Sequence, residues 1–521
     1  MKHVLLVQLY SELQPANVEP FAIEVLAGFL EKQIPSCKVN LAVINPLAKG
    51  KGINEFTGEL AACPYDIIGF SIPQGTIQTA FQVLNAVEDY YQRKVRPIIL
   101  LGHSLPTNTP DTFLSRYPWA IIVHGWGESA LKAIVESAQP VDFQNIPGIY
   151  YTVDHKININ KSPEMIIPVS PERLDSRYYF NRVETSRGCS YNRCTYCLRP
   201  NIHTAKAKWM RIPSQQVFDT IKNLKQQGIT EFTFADEDFF GNDYGFVEEL
   251  ALGIQKIGGM KFSLSAMIDN FFSDEATCQE NERRLQMWKM LHEAGLTLVY
   301  CGLESLSHSQ LKRYGKRLKD VNAITNAVNI AKQTQIKLEM GFILFDPFVT
   351  LMELRENLDM LNRSGFWQDI KSLFSFLNVY KNTPYEHWLR NAHLLSNFNP
   401  DMLLYEWDYL HPDVALIARK CQRWRNKYQN VYAALRHVER TSLSSNYAHE
   451  FLVCFRGHDI QFLEKLINNE KNISSEETNA ELKQIEAVRM FSINKLYTYL
   501  SNSDRKSPDL LLIKALKDFA R

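Results

Sequence analysis

No stretch of about 18 consecutive apolar residues occurs in the chain, so nothing in the sequence reads as a membrane span. Charge of one sign is not in excess: 58 Lys+Arg against 57 Asp+Glu leave a formal +1. That balance gives no electrostatic reason to expect nucleic acid or an anionic membrane as partner. There is no repeat of fixed period and no low-complexity tract. Cysteine is sparse, nine among 521 residues, an odd number and mostly dispersed. A disulfide scaffold is therefore not expected, and thiols kept reduced fit a cytoplasmic location. The apolar run after Met1, Val4 to Val7, is too short for a signal peptide.

What remains is a globular composition, 45% hydrophobic and 22% charged, long enough for about three domains at roughly 150 residues each. The first third alternates apolar strands with amphipathic helices. Val4–Leu9, Val39–Ile44, Asp66–Ser71, Pro97–Leu101 and Ala120–Val123 read as buried parallel strands, with helices at Pro20–Leu30 and Ala80–Tyr91. This is the rhythm of an α/β, doubly wound parallel sheet of Rossmann-like type, whose ligand lies beyond the strand C-termini. Small or polar residues stand at those ends: Ser71, Gly75, Thr76, Gly102, His103, Gly125, Gly127 and Glu128. They would let a nucleotide, flavin or corrin approach the backbone, and they equally suit tight turns that bind nothing.

Three of the cysteines are not dispersed. Cys189, Cys194 and Cys197 follow the short extended segment Arg182–Thr185. Three thiolates so spaced can hold three irons of a 4Fe–4S cube and leave the fourth iron open. A structural zinc site is the alternative, but no fourth Cys or His completes a tetrahedral spacing. Beyond the triplet, Glu231–Phe234, Phe262–Ala266, Thr297–Gly302, Leu338–Leu344 and Leu373–Val379 read as strands with helices between them. With Arg182–Thr185 they make six βα units, a partial (β/α)6 barrel of TIM type, whose functional groups collect at the strand tops. Asp236-Glu237-Asp238, Glu304-Ser305 and Asp346-Pro347 fall there; for Asp236 to Asp238, helix capping is an equal reading. Cys301, three residues before Glu304, could return a hydrogen atom to a substrate radical, though an isolated Cys is more often an inert core thiol. The last 130 residues or so are mainly helical; Trp424, Tyr428 and Tyr432 at i, i+4, i+8 mark a core face.

The segment Glu184-Thr185-Ser186-Arg187-Gly188-Cys189 leading to Cys194-Thr195-Tyr196-Cys197 resembles the cluster loop of the radical S-adenosylmethionine superfamily. Phe232–Phe239 and Ala294–Ser305 resemble its second and fourth strands. Leu101-Gly102-His103 and His124-Gly125-Trp126-Gly127-Glu128 are similar to the branch with an N-terminal cobalamin-binding-like domain. The resemblance implies domains at 1–145 (cobalamin-binding-like), 182–390 (barrel) and 391–521 (helical), with a linker at 146–181. It implies Cys189, Cys194 and Cys197 as cluster ligands, Tyr196 near the adenine, and Asp236 or Glu237 together with Glu304 on the methionyl amine and ribose. The implied cofactors are a 4Fe–4S cluster, S-adenosylmethionine and cobalamin. The implied partners are a small-molecule or peptide substrate and an electron donor such as flavodoxin or ferredoxin. A cobalamin-dependent methyltransferase is the leading expectation. A radical enzyme without functional cobalamin, such as a peptide epimerase or carbon-skeleton enzyme, is the second, and a non-catalytic binding module the third. Two departures stand out: four residues, not the usual three, separate Cys189 from Cys194, and the D-x-H-x-x-G signature of a lower axial histidine is absent.

Overall fold

The apolar runs of the first third assemble into one sheet of seven strands. In the computed structural model, which describes residues 2–11, 19–45, 52–137, 140–163, 165–169, 171, 181–198, 209–317, 321–441, 446–501 and 507–519, these are β1 (Lys2–Leu9), β2 (Cys37–Ile44), β3 (Ile67–Ser71), β4 (Ile98–Gly102), β5 (Ala120–Val123), β6 (Ile149–Val153) and β7 (Lys156–Ile159). Their order is β2-β1-β3-β4-β5-β6-β7, and β1 to β5 run parallel. Alternate side chains feed two cores, one on each face. Leu5, Val7 and Leu9 pack with Phe56 and Val83 on one side; Val4 and Leu6 pack with Ile23, Leu30 and Ile134 on the other.

The sheet runs past residue 145, because β6 and β7 add an antiparallel hairpin drawn from the expected linker. Its two turn residues, Asp154 and His155, both sit at positive φ, 49° and 61°. Asn-Gly or Asp-Gly usually signals such a turn, and no glycine marks this one. Residues 172–180 of the expected linker lie outside the described residues.

A second sheet is built from β8 (Arg182–Val183), β11 (Glu231–Phe234), β12 (Lys261–Met267), β13 (Leu296–Glu304) and β14 (Lys337–Phe342), all parallel, in the order β14-β13-β12-β11-β8. Between the first two in sequence, β9 (Ser186–Arg187) pairs antiparallel with β10 (Met210–Arg211). Helices pack outside the sheet, and two of them start with reciprocal caps. Thr277 with Glu280 and Thr350 with Glu353 each exchange a backbone N–H for a side-chain oxygen.

The sixth barrel position is filled differently from the expected strand over Leu373–Val379. Residues 370–377 hold the barrel through two isolated parallel bridges, Met340 to Ile370 and Phe345 to Phe376. Between them Ser375 turns the chain locally, its N–H donating to Leu373 O at 2.9 Å and its hydroxyl to Ser372 O at 2.7 Å. Such local bonds compete with a continuous ladder. The following β15 (Val379–Tyr380) joins a separate antiparallel sheet with β16 (Leu395–Asn399) and β17 (Leu404–Trp407).

Four helices close the chain: Pro412–Thr441, Asn446–Asn468, Glu476–Ser501 and Ser507–Lys517. Trp424, Tyr428 and Tyr432 do form a core face; their rings lie 4.6, 4.8 and 5.8 Å from the Arg489 guanidinium. Among the described residues no helix is long and apolar enough to cross a membrane.

Candidate functional site

The cysteine loop leaves the top of β8 and is clamped by the acidic triplet that ends β11. Asp236 Oδ1 accepts four hydrogen bonds: from Thr185 N (3.0 Å), Thr185 Oγ1 (2.9 Å), Ser186 N (2.5 Å) and Ser186 Oγ (2.6 Å). Glu237 Oε2 accepts from Gly188 N at 3.0 Å, and Asp238 Oδ2 from Ser190 N at 3.0 Å and Ser190 Oγ at 2.5 Å. The triplet therefore shapes the loop. The helix that follows is capped by Asp243, which accepts from Phe246 N. Burial lifts the Asp236 carboxyl to about 7, against the opposing pull of its Ser186 and Thr185 bonds, while Oδ2 is buried without a partner among the described residues.

Further along, the loop leans on the turn after the helix His308–Arg313. Thr195 N donates to Tyr314 O (3.0 Å), Thr195 Oγ1 to Arg313 O (2.8 Å) and Tyr191 OH to Gly315 O (2.5 Å). Gly315 has φ +66°, and a Cβ there would stand 2.4 Å from Arg193 O. The clash is with loop backbone, which cannot rotate aside as a side chain can. Gly315→Ala is therefore expected to cut iron incorporation on anaerobic reconstitution several-fold, with the far-ultraviolet spectrum unchanged.

Burial raises the Cys189 thiol and lifts Cys194 to about 11, the nearby Lys316 charge opposing the second shift; Cys197 acts electrostatically on both. Among the described residues no three His, Cys, Asp or Glu side chains converge as a single ion requires. The loop offers three thiolates, one fewer than the four ligands of a structural zinc, and three match a cube that leaves its fourth iron open. The donor set is thiolate alone, which suits iron–sulfur chemistry.

Glu304 ends β13 at a register shift and at φ +67°, a strained conformation for a non-glycine residue. Its Oε1 lies 3.2 Å from Lys316 Nζ, and its side chain takes the Tyr196 hydroxyl hydrogen bond. Burial works against a charged ammonium, but Glu304 holds the Lys316 pKa above its usual value. Tyr196 also meets the Tyr314 ring edge-on at 5.6 Å. Lys316 carries no sequence signal beyond its charge, and only the fold brings it to Glu304. Cys301 is fully buried in the hydrophobic core, whereas its strand neighbour Tyr300 is 40% exposed on the opposite face. The thiol is packed among core side chains. Asp346 is likewise structural: it accepts from Arg313, Gln310, Tyr314 and Tyr385 at 2.7–2.9 Å.

The strand ends of the first sheet face this loop. Arg187 of the cysteine loop donates to Glu128 Oε1 at 2.6 Å and to both oxygens of Glu184 at 3.1 and 3.2 Å; its guanidinium lies 4.3 Å from the Trp126 ring. On the same edge, Gly75 N donates to Asp401 O and Ile77 N to Asp401 Oδ1, each at 2.9 Å. Ser71 Oγ and His124 Nε2 are buried there with no hydrogen-bond partner among the described residues. Gly75 and Gly125 have φ of 78° and 72°, and a Cβ on Gly102 would meet nothing closer than 3.9 Å. Orphaned polar atoms beside the uncrowded Gly102 fit a polar ligand in the crevice. The other expected residues of this edge have protein partners. Thr76 Oγ1 donates to Pro73 O, His103 Nδ1 accepts from Ser104 N, and Glu128 is held by Arg187; a Cβ on Gly127 would stand 3.5 Å from Leu26.

Residues 183–361 match the radical SAM superfamily. The chain is 30% identical over 363 residues to 4'-phospho-dehydrooxetanocin synthase of Priestia megaterium, over 65% of this chain and 48% of that one. It is 25% identical over 223 residues to bacteriochlorophyllide d C-8(2)-methyltransferase of Chlorobaculum tepidum, over 41% of this chain and 45% of that one. The chain thus spans about half the length of the curated relatives it matches. Among solved structures, the cobalamin-dependent S-adenosylmethionine radical enzyme OxsB, with aqua-cobalamin and S-adenosylmethionine bound, superposes at TM-score 0.86 and 21% identity, over 100% of this chain and 83% of that one. The radical S-adenosylmethionine methyltransferase TsrM of Kitasatospora setae, with cobalamin and a [4Fe-4S] cluster bound, superposes at 0.66 and 13% identity, over 89% of this chain and 100% of that one. At these identities the likeness carries the fold.

Proposed function

We propose that this chain, whose residues 183–361 match the radical SAM superfamily, is a cobalamin-dependent radical SAM enzyme acting on a small molecule. In this reading Cys189, Cys194 and Cys197 hold the cluster, and the crevice by Ser71, Gly75, Gly102 and Gly125 takes the corrin. When bound, the cluster would supply one electron for reductive cleavage of S-adenosylmethionine. Asp236, Glu237 and Asp238 fix the loop that carries the thiolates. Glu304, with Tyr196 and Lys316 on it, is positioned to take the methionyl ammonium or ribose of the co-substrate.

The observation that supports the two-cofactor reading best is the 2.6 Å contact between Arg187 and Glu128. It ties the cysteine loop to the edge where a ligand of the first sheet would lie. The names of the relatives divide between a methyltransferase and a synthase, so methyl transfer is one outcome of the assay rather than part of the proposal.

The test is anaerobic reconstitution with iron, sulfide and cobalamin, followed by reduction with S-adenosylmethionine present. Bound corrin after gel filtration and formation of 5′-deoxyadenosine are expected, and Cys194→Ala should abolish the second. Absence of retained corrin at saturating cobalamin would refute the cobalamin half. Once a substrate is found, a mass gain of one methyl group separates methylation from rearrangement.

A further inference from the structure

The hairpin of β16 and β17 is held at both ends by segments remote in sequence. Its base lies beside the cysteine loop. Tyr405 and Trp407 pack on the small core built around Tyr314 and Tyr385, and Tyr196 of the cysteine loop packs on the same core. The helix Pro384–Asn391, which leads from β15 to β16, is bonded to the loop directly: Tyr385 N donates to Thr195 O, next to Cys194, at 3.0 Å.

The tip, residues 400–403, lies on the first sheet. Asp401 spans the turn that leads from β3 into the helix Ile77–Tyr91. Gly75 N donates to its backbone O and Ile77 N to its Oδ1, each at 2.9 Å, and Gln74 Nε2 donates to Met402 O at 3.3 Å. A carboxylate that accepts from the first residue of a helix satisfies one of its open N–H groups and suits the positive end of its dipole. Leu403 is fully buried in the core that holds Phe56 and Val83. It does so at φ +56°, a conformation that a leucine keeps only where its surroundings enforce it. Asn399 Oδ1 shapes the tip by accepting from Asp401 N and Met402 N at 3.0 and 3.1 Å.

Between the two ends, Phe398 pairs with Tyr405 and Asn399 with Leu404, so the ladder is continuous up to the tip. From this we infer that the hairpin couples the two cofactor sites, with Asp401 as the positioning residue that holds the turn 73–77. The inference rests on the proposed function for what the two sites bind. Ordering of the cysteine loop passes through Thr195 and Tyr196 to the hairpin and on to the turn, so that a corrin meets a crevice edge already in place. By linkage the effect is reciprocal, and cobalamin favours cluster loading by the same factor.

The experiment measures hydrogen–deuterium exchange of residues 72–80 in iron-free and anaerobically reconstituted protein without cobalamin, and cobalamin affinity by absorbance titration in both states. Exchange is expected to slow several-fold on reconstitution, and cobalamin to bind about fivefold or more tightly, the lower end of ordinary coupling between sites. Asp401→Ala should lose both effects and Gln74→Ala part of them. Asp401→Asn, which keeps an acceptor at Oδ1, should retain them. A merely structural Asp401 would lower the melting temperature and leave the ratio between the two iron states unchanged. Exchange that is the same in both states of the parent, or a ratio equal in the parent, Asp401→Ala and Gln74→Ala, would overturn the inference. Slowed exchange without retained corrin would overturn the cobalamin half of the proposed function alone, and retained corrin whose affinity ignores iron would overturn the coupling alone.

Discussion

Replacing Arg187 by methionine is expected to destabilise the protein by about 3–5 kcal/mol, the cost of removing one partner from a buried ion pair. Arg187 and Glu128 have only 4% and 3% of their side chains exposed, and Glu184 16%. Without the guanidinium, two carboxylates face each other in a low-dielectric junction. Burial already raises Glu184 while Arg187 holds it down; in the variant nothing holds it down. The sign of the pH dependence follows from that. A carboxyl whose folded pKa exceeds its unfolded value binds more protons in the folded state between the two. Stability is therefore lost as pH rises through that window. Arg187→Met should melt highest near pH 5 and fall toward pH 8, more steeply than the parent protein. Arg187→Met/Glu128→Gln should recover part of the loss and flatten the profile. Because the contact joins the first sheet to the cysteine loop, corrin and iron occupancy should fall together in the single variant. A melting curve parallel to the parent's across this range would show that the carboxylates reach water and that the junction is looser than it stands.

What the sequence discloses about this protein is what is local. Three cysteines within nine residues announce their chemistry by spacing, and short apolar runs such as Ile67–Ser71 announce buried strands by composition. What it conceals depends on chain segments brought together by folding. Arg187 and Glu128 are 59 residues apart, and no period links them. Lys316 is one more charge in a basic turn until the end of β13 delivers Glu304 to it. The carboxylates at the strand tops are legible as functional in kind, but not in detail. Asp346 has the same local context as Glu304, yet it is saturated by five protein donors. Cys301 could not be assigned a face from its neighbours alone; strand alternation, with Tyr300 exposed, turns it into the core. The hairpin of β16 and β17 lies in the region expected to be mainly helical, and Leu395–Asn399 is too polar to announce a strand.

Asp236 gives the second large effect, and the two ways of changing it separate shape from charge. Four donors converge on Oδ1, two of them backbone amides of buried residues. Asp236→Ala leaves those amides without an acceptor, at about 1–3 kcal/mol each, so a loss of about 4 kcal/mol and failure to retain iron are expected. Asp236→Asn keeps an acceptor at the Oδ1 position and removes the charge. The native carboxyl titrates at about 7 because burial outweighs the four bonds, well above the roughly 3.9 of an unfolded chain. The folded state therefore carries the extra proton between those values, and the native protein loses stability as pH rises from about 4 to about 7. The proton has a place on Oδ2, which has no other partner among the described residues, so the loop keeps all four bonds in either charge state. Asp236→Asn should consequently match the parent near pH 4, exceed it in melting temperature near pH 8, and retain the cluster at both. If Asp236→Asn loses iron as completely as Asp236→Ala, the negative charge, and not the acceptor geometry, is what holds the cysteine loop.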